Sequence, residues 1–355
     1  MPANRMNREE FYAKVSPLND EQLRKVLWTV YWRGTAQVRA RIEDALTPEE
    51  PQPKRKTPDK PDPAQVLAEV TEFVSLARSG AYMYGDRRVT RAQRSKWRLT
   101  FRDLAKQSQS ALHAADTGPA EKAVEGLIEL ACDMSDSEYF HSDDPVEAAK
   151  FVVSHAAAGL WQTVLDQHGF AAFAERVAKQ LIRWESEYGW TRQGQGKVAE
   201  NERLLADVLE PMLTTDAMWR GFAIAYLDAL DAVAGLRGDA DYNRRRRAGN
   251  LAVWHGMLAE RLAGTADASL LDRLVGHRAL AGPSVTFLRA EIAFASGDVA
   301  AAKKLIAECL EELPGSYEFQ AFAVEIGAEM PRRAREMYAE RARAQALIDG
   351  TIPPR

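Results

Sequence analysis

Residues 290–314 read AEIAFASGDVAAAKKLIAECLEELP, and this stretch decides the fold. Apolar residues recur at spacings of three and four on both sides of Gly297-Asp298, and Pro314 closes the second run. The pattern is helix, tight turn, helix. Working outward, a second and more degenerate hairpin is expected over 317–327 and 331–348, and an earlier one over 251–263 and 268–280. No convincing two-residue alternation of the strand type occurs elsewhere in the chain. The expected fold is all-α, with helical hairpins packed as a bundle and a region of helical repeats at the C-terminal end.

The 290–314 hairpin resembles a tetratricopeptide repeat. Ala290 fits the small residue of that repeat's first helix, Gly297-Asp298 its turn, Ala302 and Cys309 the small residues of its second helix, and Pro314 its end. Ile306 stands where an aromatic is usual, and the first helix lacks the usual Trp, Leu and Tyr. The likeness covers one repeat. It implies a concave surface that takes a peptide or a helix of a protein partner.

Four regions are expected. Residues 1–46 form an N-terminal helical hairpin, in which Asn19 and Gln22 make a capping box and Trp28 and Trp32 close the pair. Residues 47–63 carry six prolines (Pro48, Pro51, Pro53, Pro58, Pro61 and Pro63), so no helix runs through them and they read as an extended linker. Residues 64–238 make an all-helical main domain. Within it Asp144, Pro145 and Glu147 start a helix expected to reach Gln167, Gly169 separates it from the next, and one helix is expected over 199–213. Residues 239–355 form the repeat region.

Composition narrows the function. Lys plus Arg number 47 against 51 Asp plus Glu, for a net charge of −4, so a uniformly basic nucleic-acid coat is excluded. No apolar run approaches the roughly 18 residues of a membrane span, and no membrane partner is expected. The N-terminus carries no signal-peptide pattern, and a cytoplasmic location is expected. Cys132 and Cys309 sit in apolar helical patterns and read as buried thiols.

The strongest local signal is basic. Arg87, Arg91, Arg94, Arg98 and Arg102 follow at spacings of 4, 3, 4 and 4, which a helix aligns in one stripe. Such a stripe suits a nucleic-acid backbone, with Tyr82, Tyr84 and Trp97 as candidate stacking faces, or acids from a neighbouring helix. Arg244, Arg245, Arg246 and Arg247 form a second cluster, expected in a loop or helix start, whose side chains point around the axis and cannot make one docking face. The acids Asp133, Asp136, Glu138, Asp143 and Asp144 match no calcium loop, and the six histidines make no zinc spacing. Gly194-Gln195-Gly196-Lys197 lacks the Ser or Thr and the first glycine of a phosphate loop. No catalytic, cofactor-binding or metal-ligating residue is identified. The expected function is a non-enzymatic adaptor that binds a protein partner through its repeats, with nucleic-acid binding by the arginine stripe as the alternative.

Overall fold

A computed structural model describes residues 8–35, 38–39, 42–43, 61–83, 87–134, 137–188, 196–234, 240–263 and 268–349. Most of the proline-rich linker, Lys54-Arg55-Lys56, Tyr84, Asp136 and residues 189–195 lie outside them. The described secondary structure is helical, with no strand among the described residues. No described helix is long and apolar enough to cross a membrane. The chain divides into two compact units, 1–59 and 60–355.

The first unit contains α1 (Arg8–Val15) and α2 (Asp20–Arg33). The capping box forms: the Asn19 side chain accepts the Gln22 amide at 2.9 Å, and the Gln22 side chain accepts the Asn19 amide at 2.9 Å. Gly34 ends the helix. Trp28 and Trp32 do not close a hairpin. They stack on each other with centroids 5.7 Å apart and stand 60% and 71% exposed. No residue of α2 is buried, and Val26, Leu27 and Val30 are exposed as well, so there is no packed hairpin core for them to close. The link to the following segment is instead the Tyr31 hydroxyl, which donates to Glu43 Oε1 at 2.5 Å.

The second unit begins with α3 (Pro63–Arg78), capped by Asp62, which buries Val66, Val70, Phe73, Val74 and Ala77. α4 (Arg91–Ala111) starts at a Thr90–Gln93 capping box and buries Trp97, Phe101 and Leu104. α5 (Gly118–Asp133) follows. Tyr82, Trp97 and Phe140 are packed in one aromatic cluster with Phe73. Tyr82 and Trp97 are therefore core residues, and their expected role as stacking faces for bases is corrected.

The helix started by Asp144 is short. α6 (Pro145–Ala149) ends where Lys150 takes the left-handed conformation, φ 53° and ψ 43°, and α7 (Val153–Tyr188) begins three residues later. Gly169, at φ 76° and ψ 173°, interrupts α7. Trp161 and Trp184 stack across this break with centroids 6.2 Å apart, and Trp161 Nε1 donates to Gln180 Oε1 at 2.9 Å. In a straight helix those tryptophans would be about 34 Å apart. The two arms of α7 thus fold back on each other about Gly169.

The single helix expected over 199–213 is α8 (Lys197–Asn201), α9 (Leu205–Leu209) and a 3-10 turn (Glu210–Met212). Glu202 is extended, and its carboxylate accepts the Val153 and Ser154 amides at 2.6 and 3.0 Å. Capping α7 thus takes the residue that would have continued α8. α10 (Asp216–Ala234), α11 (Asp241–Asn250), α12 (Ala252–Ala263) and α13 (Ala268–Val275) complete the main packing. Two hairpins end the described chain: α14 (Pro283–Ala295) with α15 (Val299–Glu312), then α16 (Tyr317–Glu325) with α17 (Arg332–Ile348).

One apolar cluster runs from Val66 to Leu288, across residue 238. A smaller one joins Phe287, Ile306, Leu310, Phe319 and Ala334. The packing changes character at α14, whose Val285 and Leu288 enter the first cluster and whose Phe287 enters the second.

Candidate functional site

Most buried charge in the second unit is matched internally. Glu121, Glu125, Glu129 and Asp133 recur every four residues on α5. Glu121 accepts from Arg176 at 2.5 Å and from Thr117 at 2.7 Å, and lies 2.9 Å from His168 Nε2. Arg176 also reaches Glu125 at 3.0 Å, Arg183 pairs with Glu129 at 2.9 Å, and Arg78 pairs with Asp133 at 2.5 Å. Burial alone would raise the Glu121 pKa, but the hydrogen bonds from Thr117, His168 and Arg176 outweigh it and hold the carboxyl below its ordinary range. This ladder joins α5 to the second arm of α7 and to α3. Its signal in the sequence was the four-residue spacing of the acids. Asp133, first grouped with the acidic loop, belongs to the ladder, and Asp144 is the cap of α6, its side chain accepting the Glu147 amide at 2.9 Å.

Two buried histidines are likewise held. Tyr226 Oη lies 2.7 Å from His255 Nε2 inside the core. His277 Nδ1 accepts the Ala279 amide at 3.2 Å, and its Nε2 faces Asp231 at 3.3 Å; burial holds its pKa below the ordinary value.

Of the two settings expected for the 244–247 cluster, loop or helix start, the helix is the one found, the fourth to seventh residues of α11, and its charges are taken up. Arg244 pairs with Asp241 at 3.2 Å, and Arg245 pairs with both Asp241 and Glu312. The Arg246 guanidinium lies 5.6 Å from the Tyr242 ring centroid. Arg247 is buried and donates to the Ala279 carbonyl at 2.6 Å.

Arg91, Arg94, Arg98 and Arg102 lie on α4, along the border of its buried face, but Arg87 precedes the Thr90 cap, so the helix does not align it with them and the expected five-residue stripe is corrected to four. Arg94 is half-buried, with Nη2 reaching the Val89 carbonyl at 3.4 Å. Arg102 is half-buried and donates to the Ala148 and Ala149 carbonyls at 2.6 and 2.9 Å, joining α4 to α6. Arg87, Arg91 and Arg98 are exposed and make no ion pair among the described residues. The two arginine clusters sit on elements with different neighbours: α4 packs mainly on α3, α5 and α6, whereas α11 packs on α7, α12 and α14.

The C-terminal hairpins present another surface. Gly297, at φ 86°, and Gly327, at φ 63°, close α14 and α16 with the same turn. In each, the following residue's amide returns to a carbonyl five positions back: Asp298 to Ala293 and Ala328 to Ala323, both 2.8 Å. The first helices of the two hairpins meet ring to ring, Phe287 with Phe319 at 4.7 Å and Phe294 with Phe322 at 5.8 Å. Phe294 remains partly exposed at this seam, whereas Tyr317, with the Arg341 guanidinium 5.5 Å from its ring centroid, and Val324 are exposed on the other side of α16. Glu291 lies between Phe287 and Phe294 in sequence, half-buried and without an ion pair among the described residues. Burial and the nearby Glu318 push its pKa up to about 7.

Among the described residues no group of His, Cys, Asp and Glu side chains is arranged to hold a metal ion. Cys132 and Cys309 are both buried, and burial pushes the Cys309 thiol up to about 12. No family model, no curated protein and no solved structure matches this chain.

Proposed function

We propose that the chain is a non-enzymatic interaction protein that holds a protein partner on the face formed by α14 and α16, with tetratricopeptide-like repeats as its scaffold. The observation that carries this reading is the side-by-side contact of the two first helices. It supports one continuous surface in which Phe294 and Phe322 offer apolar contact and Glu291 and Glu318 offer acidic groups. The matching partner segment is apolar and carries a lysine or arginine, which would draw Glu291 back to its charged form.

The test is a pull-down with the full chain and with Glu318→Lys. Position 318 is exposed and takes no part in the ring contacts, so the variant is expected to melt like the parent. Loss of specific partners from the variant is the expected result. Retention of every partner would refute the assignment.

A second reading rests on Arg87, Arg91 and Arg98, which stand exposed and unpaired among the described residues, as a backbone contact for nucleic acid would require. It predicts DNA or RNA binding that weakens steeply with salt and disappears in Arg87→Glu/Arg91→Glu/Arg98→Glu. Absence of binding at low salt removes it.

A further inference from the structure

The far end of the arginine stripe opens into a cavity. It measures about 250 Å³ and lies between α4 and the corner where α6 gives way to α7. Arg102, Lys106 and Gln109 line it from α4, and Lys150 and His155 line it from the corner. Three cations and an imidazole converge there, and no carboxylate is among the lining residues. Lys106, Lys150 and His155 are exposed and have no ion pair among the described residues. Glu202, the acid attached to this corner, is engaged by the Val153 and Ser154 amides.

Two features make this more than a loose group of surface charges. The Ala148 and Ala149 carbonyls fix the Arg102 guanidinium without neutralising it. Of the five donors a guanidinium carries, two are used there, and three remain. In addition, Lys150 is the one non-glycine residue with positive φ among the described residues. A helix end of this kind ordinarily takes glycine or asparagine. A lysine accepts backbone strain that glycine avoids, and what it adds to the cavity is an ammonium group.

We propose that this cavity binds the terminal phosphate of a small phosphorylated molecule. A phosphate monoester carries close to two negative charges and three acceptor oxygens, which cations arriving from several directions can share. A planar carboxylate would be satisfied by a single guanidinium. The volume is below the roughly 300 Å³ at which pockets begin to enclose whole drug-sized ligands, so the cavity takes the phosphate and leaves the rest of the molecule outside.

The experiment is thermal unfolding of the full chain in low-salt buffer with millimolar inorganic pyrophosphate. Pyrophosphate is expected to raise Tm, and Lys106→Ala/Lys150→Gly is expected to need about tenfold more for the same rise. Glycine suits the backbone at position 150, so the variant's own Tm is expected to hold or increase. No rise in the parent, or an equal rise in the variant, overturns the proposal. A dinucleotide with a 5′-phosphate is expected to act like pyrophosphate, and the same dinucleotide without it to be silent. If both act equally, the cavity reads internal phosphodiesters and the assignment to a terminal phosphate fails.

Discussion

Arg244–Arg247 and the Arg87–Arg102 stripe are clusters of the same side chain with opposite outcomes. Consecutive arginines radiate about 100° apart around α11, so together they reach several neighbours: Asp241, shared by Arg244 and Arg245, an acid on α15, a tyrosine ring and a buried carbonyl. Arginines spaced by three and four share one side of α4, where only Arg94 and Arg102 turn inward far enough to meet the body. The remainder face water together. In these two clusters the dense run is the one that folding neutralises, and the periodic run leaves part of its charge available. Spacing alone does not decide this: the acids of α5 recur every four residues and are all paired, because that side of α5 faces the arginines of α7 and α3. Glu121 is buried with partners and held low, whereas Glu291 is half-buried without one and pushed up.

The largest expected effect comes from breaking the dense cluster at its buried member. Arg247→Met removes the donor to the Ala279 carbonyl and leaves that acceptor inside the core. The expected loss is about 2–4 kcal/mol of unfolding free energy, read from urea titration at neutral pH. Arg246→Met, one residue away over the exposed Tyr242 ring, should cost less than about 1 kcal/mol. Equal costs at 246 and 247 would mean that burial does not govern this cluster.

Next is Arg102, the member of the stripe that behaves like the dense cluster. Arg102→Met keeps most of the stem and removes two donors from the end of α6. A loss of about 1–2 kcal/mol is expected. The same titration on Arg98→Met, one turn earlier and exposed, should show no resolvable change.

Glu291 sharpens the contrast on the acidic side, through pH. Its folded pKa of about 7 lies above the 4.5 of the free carboxyl, so the folded chain retains this proton where the unfolded chain has released it. Stability from this site is therefore present below about pH 4.5 and declines as pH rises towards 7. Glu291→Gln should flatten that decline and gain about 1 kcal/mol at pH 8, after allowance for the site's partial contact with water. Thermal melts of both proteins from pH 4.5 to 8 test it, and parallel curves would show that position 291 does not titrate in this range.

These contrasts also mark what could be seen in the sequence. Local rules carried far: the Asn19–Gln22 box, the Asp144 cap, the Gly169 break and the Gly297 turn all act within a few residues, and all formed. Features that depend on distant partners did not show. Nothing near Lys150 announced a left-handed residue, because glycine is the usual mark of one. Glu202 broke a helix expected to be continuous because its carboxylate caps α7 about fifty positions earlier. Trp28 and Trp32 had the size and spacing of a hairpin core, yet no residue of α2 is buried. The stripe's periodicity was plain from the start, but which arginines turn inward was decided by the carbonyls of α6 and of Val89.

The smallest effect on stability is expected from the arginines that gave the stripe its interest. Arg91 and Arg98 each stand three or four residues from another arginine of α4, and like charges so spaced on a helix cost a few tenths of a kcal/mol, while Arg87 lies exposed before the helix. Changing all three to glutamine removes that repulsion together with three guanidinium groups that have no ion pair among the described residues. Unfolding free energy should stay within about 0.5 kcal/mol of the parent, with any change in the stabilising direction. Added salt should raise the parent's stability slightly more than the variant's, because screening relieves a repulsion only the parent retains. A loss above about 1 kcal/mol in the triple variant would show that these three arginines are engaged as Arg244–Arg247 are, and the distinction between the dense and the periodic cluster would collapse.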